Sequence, residues 1–172
     1  MSEHDSLQAF TDRQTIVDMI YRYCRAVDRL DHELGYSIWH DDAIADYGAY
    51  YHGRGRGVID LICADHRQLL CHSHQVTNVL IEFDGDRAGS EAYVTANLRV
   101  ERDGQLRQIT VWSRYVDRWS RRDGRWGIDR RIAIRDFDEI RKVTPMTPTR
   151  EGSRDRRDPS YAVLHHPDSS QP

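Results

Sequence analysis

Apolar residues in the first thirty positions recur with a helical period. Ile16, Ile20, Tyr23 and Val27 form one line, and Val17, Tyr21 and Cys24 lie beside it. Together they make a wide apolar face, which predicts a helix over 6–30. One position breaks that face: Asp28 stands where the second line should continue. Asp31 is placed to cap a short second helix, 32–40, carrying Leu34, Ile38 and Trp39. The stretch AIADYGAYYHG is β-branched, aromatic and broken by glycine, which predicts a short strand and a turn. Residues 57–70 return to the helical period through Ile59, Ile62, Cys63, His66, Leu69 and Leu70.

Beyond residue 71 the period becomes two. Strands are predicted over 72–83, 88–102, 105–121 and 125–137, separated by the DGDR turn at 84–87 and by Asp-Gly hairpin signals at 103–104 and 123–124. In the first of these, alternation puts His72, His74, Val76, Asn78 and Leu80 on one side. Gln75, Thr77, Val79, Ile81 and Phe83 fall on the other, more apolar side. Trp112, Tyr115, Trp119 and Trp126 read as core and hairpin aromatics. Helices first and an antiparallel meander after them predict an α+β domain, with helices covering one face of a curved sheet. That domain spans 1–142. The Pro-, Arg- and Ser-rich stretch 143–172 is expected to be a largely irregular tail.

Composition narrows the function classes. A chain of 172 residues suits one domain with a tail. A net charge of −3 gives no bulk electrostatic case for nucleic acid or an anionic membrane surface. No apolar run reaches the length of a membrane span, and the opening MSEHDSLQAF is too polar for a signal peptide. Cys24, Cys63 and Cys71, odd in number and without CxxC spacing, are expected to be buried thiols. A cytoplasmic protein is therefore expected.

Two residues invite chemistry. Asp28 is either an exposed carboxylate where a helix ends or a carboxylate facing a pocket. His74, on a mixed strand face, is either a hydrogen-bonded edge histidine or a base. Within reach of each other the two form an acid–base pair, in which the carboxylate orients the ring and stabilises the imidazolium. His72 and His74 also have the spacing of two metal ligands on one strand, but no His-Glu-x-x-His or Cys/His cluster supplies the rest. GRGRG at 53–57 reads as a turn into a helix, since it lacks G-x-G-x-x-G spacing. No metal and no cofactor are expected.

Four stretches resemble the SnoaL-like branch of the nuclear-transport-factor-2-like superfamily: YCRAVDRLD, HQVTNVLIEFDGDRA, SRYVDRWSRRDGRW and WGIDRRIAIRDF. The resemblance covers about residues 8–140. It implies a cone-shaped α+β barrel, a bent sheet wrapped around helices with a pocket at the open end. It is similar in these motifs to scytalone dehydratase, bile-acid 7α-dehydratase and hexachlorocyclohexane dehydrochlorinase, in which an Asp near the end of the first helix pairs with a His on the following strand. Asp28 and His74 match those positions. Tyr23 and Tyr47 match tyrosines of the dehydratases, and Arg135 matches a last-strand arginine. The resemblance thus implies a cofactor-independent lyase for a cyclic, partly apolar small molecule, working as a homo-oligomer, dimer or trimer. A cyclase or isomerase using the same proton transfer is the alternative, as is a non-catalytic binding or oxygenase small-subunit-like protein.

Overall fold

The structure, a computed structural model, describes residues 3–146 and 152–165. Three N-terminal helices interleave with two short strands: α1 (Glu3–Arg29), α2 (His32–Tyr36), β1 (Trp39–Asp46), β2 (His52–Arg54) and α3 (Gly55–Arg67). Four long strands follow, β3 (Cys71–Asp84), β4 (Arg87–Arg102), β5 (Gln105–Arg122) and β6 (Arg125–Lys142), and then a short helix α4 (Pro159–His165). The six strands form one curved, unclosed sheet in the order β2-β1-β6-β5-β4-β3. The expected α+β cone is the fold observed.

The Asp-Gly signals act as expected. Asp103 and Gly104, and Asp123 and Gly124, all have positive φ, between 51° and 77°. This is the backbone of the tight hairpin turn whose twist matches the strands it joins. The line Ile16, Ile20, Tyr23 and Val27 is at most 1% exposed and packs into the concave face of the sheet. Trp119 and Trp126 complete that core, and the Trp126 indole N–H donates to the buried Asp12 carboxylate of α1 at 2.9 Å.

The structure corrects the sequence reading in several places. Asp31 caps α2, its carboxylate accepting from the Leu34 N–H at 3.1 Å, but the helix stops at Tyr36. Trp39 instead opens β1, which runs parallel to β6 and so adds a crossover that the meander lacked. Helix α3 begins at Gly55, inside GRGRG. A Cβ on Gly55 would lie 2.2 Å from the Trp39 ring, and one on Gly57 would lie 2.2 Å from the Tyr51 hydroxyl. Close packing accounts for these glycines. Cys71 is exposed, whereas Cys24 and Cys63 are buried.

Strand β3 does not alternate throughout. Asn78 has φ of 50°, and the pairing with β4 slips between Thr77 and Leu80. This bulge inserts one residue and reverses the faces beyond it. His74 and Val76 therefore share the inner face with Val79 and Ile81, while Leu80 is 65% exposed. The stretch read as an irregular tail is partly structured, since α4 docks on α1 and α2. There the Tyr161 hydroxyl donates to Asp31 at 3.1 Å.

Candidate active site

Helix α1 ends just where Asp28 needs to be held. Leu30 adopts a left-handed φ of 54°, and the Asp31 N–H returns to the Ala26 carbonyl at 2.9 Å. That closure leaves the last carbonyls of the helix facing outward. His72 takes one of them, its Nε2 donating to the Val27 carbonyl at 3.0 Å. Asp28, in the last turn, meets β3 next to this contact.

His74 grips Asp28 twice. Its backbone N–H donates to Oδ2 at 3.0 Å, and its ring Nδ1 lies 2.7 Å from Oδ1. Both side chains are largely buried, His74 at 8% and Asp28 at 14% exposure. In the neutral ring the Nδ1 proton points at the carboxylate, so Nε2 keeps its lone pair. That is the tautomer a general base requires.

Two more histidines surround this one. The His66 ring stacks on His74 at 5.5 Å between centroids and lies 4.4 Å from His72. Burial above all, with the neighbouring rings, lowers His66 to about 3. Burial lowers His72 as well. Both are therefore neutral near pH 7, and the Nδ1 atoms of both are buried without a partner. Among the described residues no three His, Cys, Asp or Glu side chains are arranged to hold a metal ion.

Asp28 and His74 line a cavity of about 260 Å³, together with Tyr21, Cys24, Arg25, Arg29 and Val76. It is small for a ligand site, since these run to about 300–1,000 Å³. Burial pushes the Cys24 thiol up to about 12, which makes it a wall and not a nucleophile. A wider bowl of about 740 Å³ adjoins it beyond Arg29, walled by Arg67, Arg154, Arg156 and Tyr161. The bowl also holds a histidine, His32, whose Nδ1 lies 3.0 Å from Asp60 Oδ1, but that pair is far more exposed than Asp28 and His74.

The other expected site residues lie elsewhere. Tyr23 and Tyr47 meet each other, their hydroxyls 2.6 Å apart, but neither lines the cavity of the Asp28–His74 pair. Burial raises the pKa of both, so both stay protonated. Beside them sits Arg131, fully buried, its guanidinium 4.2 Å from the Tyr23 ring centroid and 3.9 Å from that of Tyr115. Burial works against the Arg131 charge, but the Asp117 carboxylate more than offsets it through two 2.7 Å contacts. Arg135 is 69% exposed and pairs with Asp138. The pairing of β5 with β6 slips at Arg118/Trp119 and again at Trp112/Ser113. No slip separates Arg131 from Arg135, so the two share a face, but Arg135 lies four residues further along β6 and beyond the core, and the buried guanidinium is that of Arg131. The sequence reading also passed over Arg25, Arg29 and His66. Arg25 and Arg29 carry a signal, because they flank Asp28 within one helical turn.

The chain matches the family model of the SnoaL-like domain over residues 8–132. Solved structures of the same fold include a type-2 hexachlorocyclohexane dehydrochlorinase (20% identity, TM-score 0.74), matched over 84% of this chain and 98% of that one. A type-3 dehydrochlorinase from Novosphingobium barchaimii is 19% identical, with TM-score 0.69 over 85% of this chain and 99% of that one. A scytalone dehydratase-like protein from Novosphingobium aromaticivorans is also 19% identical, with TM-score 0.69 over 86% and 99%. No curated protein matches the chain. Among the described residues no helix is long and apolar enough to cross a membrane.

Proposed function

The chain belongs to the SnoaL-like domain family, and from that premise we propose that it is a cofactor-independent lyase using His74 as general base. The observation that carries this reading is the Asp28–His74 contact, with Nδ1 engaged at 2.7 Å and Nε2 left as acceptor. In the reaction, Nε2 takes a proton from a carbon beside a carbonyl or leaving group, and the leaving group departs as halide, or as water when the imidazolium Nε2–H hands its proton to the departing hydroxyl oxygen. The ring becomes imidazolium, and the Asp28 carboxylate stabilises the new charge. Relatives of this fold named as a dehydrochlorinase and as scytalone dehydratase-like support elimination as the reaction class. Tyr23 and Tyr47 act in this reading as a protonated phenol pair, donating to a developing oxygen only in a substrate that reaches the cone interior.

Tyr23, Trp39, Trp119 and Arg131 fill the cone interior. That filling favours a second reading, a non-catalytic small-subunit-like protein. Variants of the pair separate the two. Asp28→Asn is nearly isosteric, and His74→Ala deletes the base. On a panel of cyclic β-hydroxy ketones and halogenated rings, each should lose turnover by a factor on the order of 10²–10⁴. Each should keep a cooperative melt, with Tm moving by about 2–4 °C for each kcal/mol lost. Variants that turn over substrate like wild type, or a wild type inert on the whole panel, would favour the second reading.

A further inference from the structure

The space beside His74 is one of three that adjoin one another around α4. The cavity of about 260 Å³ shares Arg29 with the bowl of about 740 Å³. It shares Tyr21 and Arg25 with a groove of about 630 Å³, which Leu164 of α4 borders. The bowl and the groove in turn share Asp31, Glu33 and Arg156. All of these partition side chains except Tyr21 either belong to the C-terminal segment or are held by it. Arg25 Nη1 donates to the Ser160 hydroxyl at 3.1 Å, and its guanidinium carbon lies 4.9 Å from the Tyr161 ring centroid. Arg29 Nε stands 3.7 Å from the Asp158 carboxylate, and the Tyr161 hydroxyl donates to Asp31 at 3.1 Å. Arg156 Nη2 lies 3.9 Å from Glu33 Oε2.

This partition leaves the reacting pair little room. Asp28 and His74 are largely buried, and their cavity is smaller than the usual ligand site of about 300–1,000 Å³. A general base has to come within about 3 Å of the group whose proton it takes. One wall must therefore move before a substituted ring can be seated against Nε2. The walls from α1 and β3 are fixed, the first by its core line and the second by its ladder to β4. The C-terminal segment is held more lightly. Its buried side chains are Asp158 and Tyr161, whereas Val163 and Leu164 are well exposed. Its turn is also self-contained. Asp158 accepts from the Ser153 and Ser160 N–H groups at 3.2 and 3.1 Å, and the Ser153 hydroxyl donates to Asp155 at 2.8 Å. The segment keeps those partners when it leaves α1, so lifting it strands few polar groups.

We propose that residues 152–165 form a cover that swings off the Asp28–His74 cavity to admit substrate, with Tyr161 as its anchor and the Arg154–His66 contact as its latch. The inference rests on that pair being the reacting pair, since only then is the cleft a substrate path. Lifted, the cover joins the cavity to the bowl and the groove. Docked, it shuts water away from the imidazolium that forms on His74. The latch ties the cover to the site directly, because Arg154 Nη1 donates at 2.7 Å to the carbonyl of the histidine stacked on His74.

Cys24 reports the opening without any turnover. It lines the cavity, and burial pushes its thiol up to about 12 while the cover is down, which makes it slow to react. The full chain is labelled with iodoacetamide at about pH 8, and each cysteine is followed by peptide mass spectrometry. Exposed Cys71 sets the fast reference, and Cys63, buried and lining none of the three spaces, reports global unfolding. Wild type should label Cys24 at least about a hundredfold more slowly than Cys71. Tyr161→Ala deletes the anchor and should raise the Cys24 rate about tenfold or more. Tyr161→Phe, which removes only the hydroxyl, and Arg154→Gln, which removes the latch, should raise it less, by about threefold to tenfold. Cys63 should keep its wild-type rate in all three. Because the thiol alone is read, a chain inert on every substrate leaves the cover standing, and a failed cover leaves the lyase reading to the Asp28→Asn assay. Any of three results overturns the cover. One is Cys24 reacting as fast as Cys71 in wild type. Another is a Cys24 rate unchanged in Tyr161→Ala. The third is equal acceleration of Cys24 and Cys63, which would assign the effect to global unfolding.

Discussion

Arg131 and Asp117 show what a single buried charge costs this fold. Both are essentially unexposed, and the guanidinium is sandwiched by Tyr23 and Tyr115 while two of its nitrogens meet the carboxylate. Its Nη1 is buried without a partner. Breaking such a pair strands the surviving charge, a cost of about 3–5 kcal/mol. Asp117→Asn should therefore lower Tm by roughly 6–20 °C, at about 2–4 °C per kcal/mol for a chain of this size. The double replacement Arg131→Met/Asp117→Leu should recover most of that loss, because no charge remains to be stranded. Differential scanning calorimetry of the three proteins checks this, and an Asp117→Asn melt equal to wild type would show the pair to be energetically idle. Sequence did not point to Arg131, because a buried arginine reads like any other arginine until its strand register is known. Asp28 was legible for the opposite reason: it interrupts an otherwise apolar helix face, and that interruption needs a cause.

The register of β3 depends on one residue. Asn78 carries the positive φ of the bulge, and the bulge returns Val79 and Ile81 to the face that holds His74 and Val76. Strict alternation over this strand puts Leu80 inside, where the structure leaves it 65% exposed. Asparagine tolerates the left-handed region, and a β-branched residue does not. Asn78→Gly should be near neutral, whereas Asn78→Val should cost about 1–3 kcal/mol. Urea denaturation gives both values, and a Val variant as stable as wild type would mean that the bulge relocates at no cost. Element type was legible along most of the chain because apolar period and Asp-Gly turns are local signals. The bulge was not, since its purpose lies in the face it presents to α1, a contact made across the fold. The parallel β1–β6 pairing was hidden for the same reason.

At the scale of the whole molecule, the candidate site is a junction, where the ends of α1 and α3 meet the start of β3 and α4 closes over them. The cone itself was legible through motifs, but the docking of α4 was not. It depends on single contacts such as Arg154 Nη1 donating to the His66 carbonyl at 2.7 Å, which leave no periodic trace. This junction should be the acid-sensitive point of the fold. Burial lowers His66 to about 3 and lowers His72 too, whereas an unfolded histidine titrates near about 6.5. Below pH 6.5 the unfolded chain therefore binds protons that the folded chain refuses, and stability must fall as pH falls through that window. The buried-neutral histidines contribute fully above about pH 6.5, and their contribution is lost progressively toward pH 3. Carboxylates act in a separate range. Asp158, lowered to about 2 chiefly by the Ser160 hydroxyl, matters only below the unfolded Asp value of about 3.9. The slope of Tm between about pH 6.5 and 4.5 is thus mainly a histidine signal. Wild type should lose Tm steadily across that interval, and His66→Gln/His72→Gln, which keeps polar side chains but cannot charge, should show a clearly flatter profile. Parallel profiles for the two proteins would mean that protonation at the junction is not what acid does to this fold.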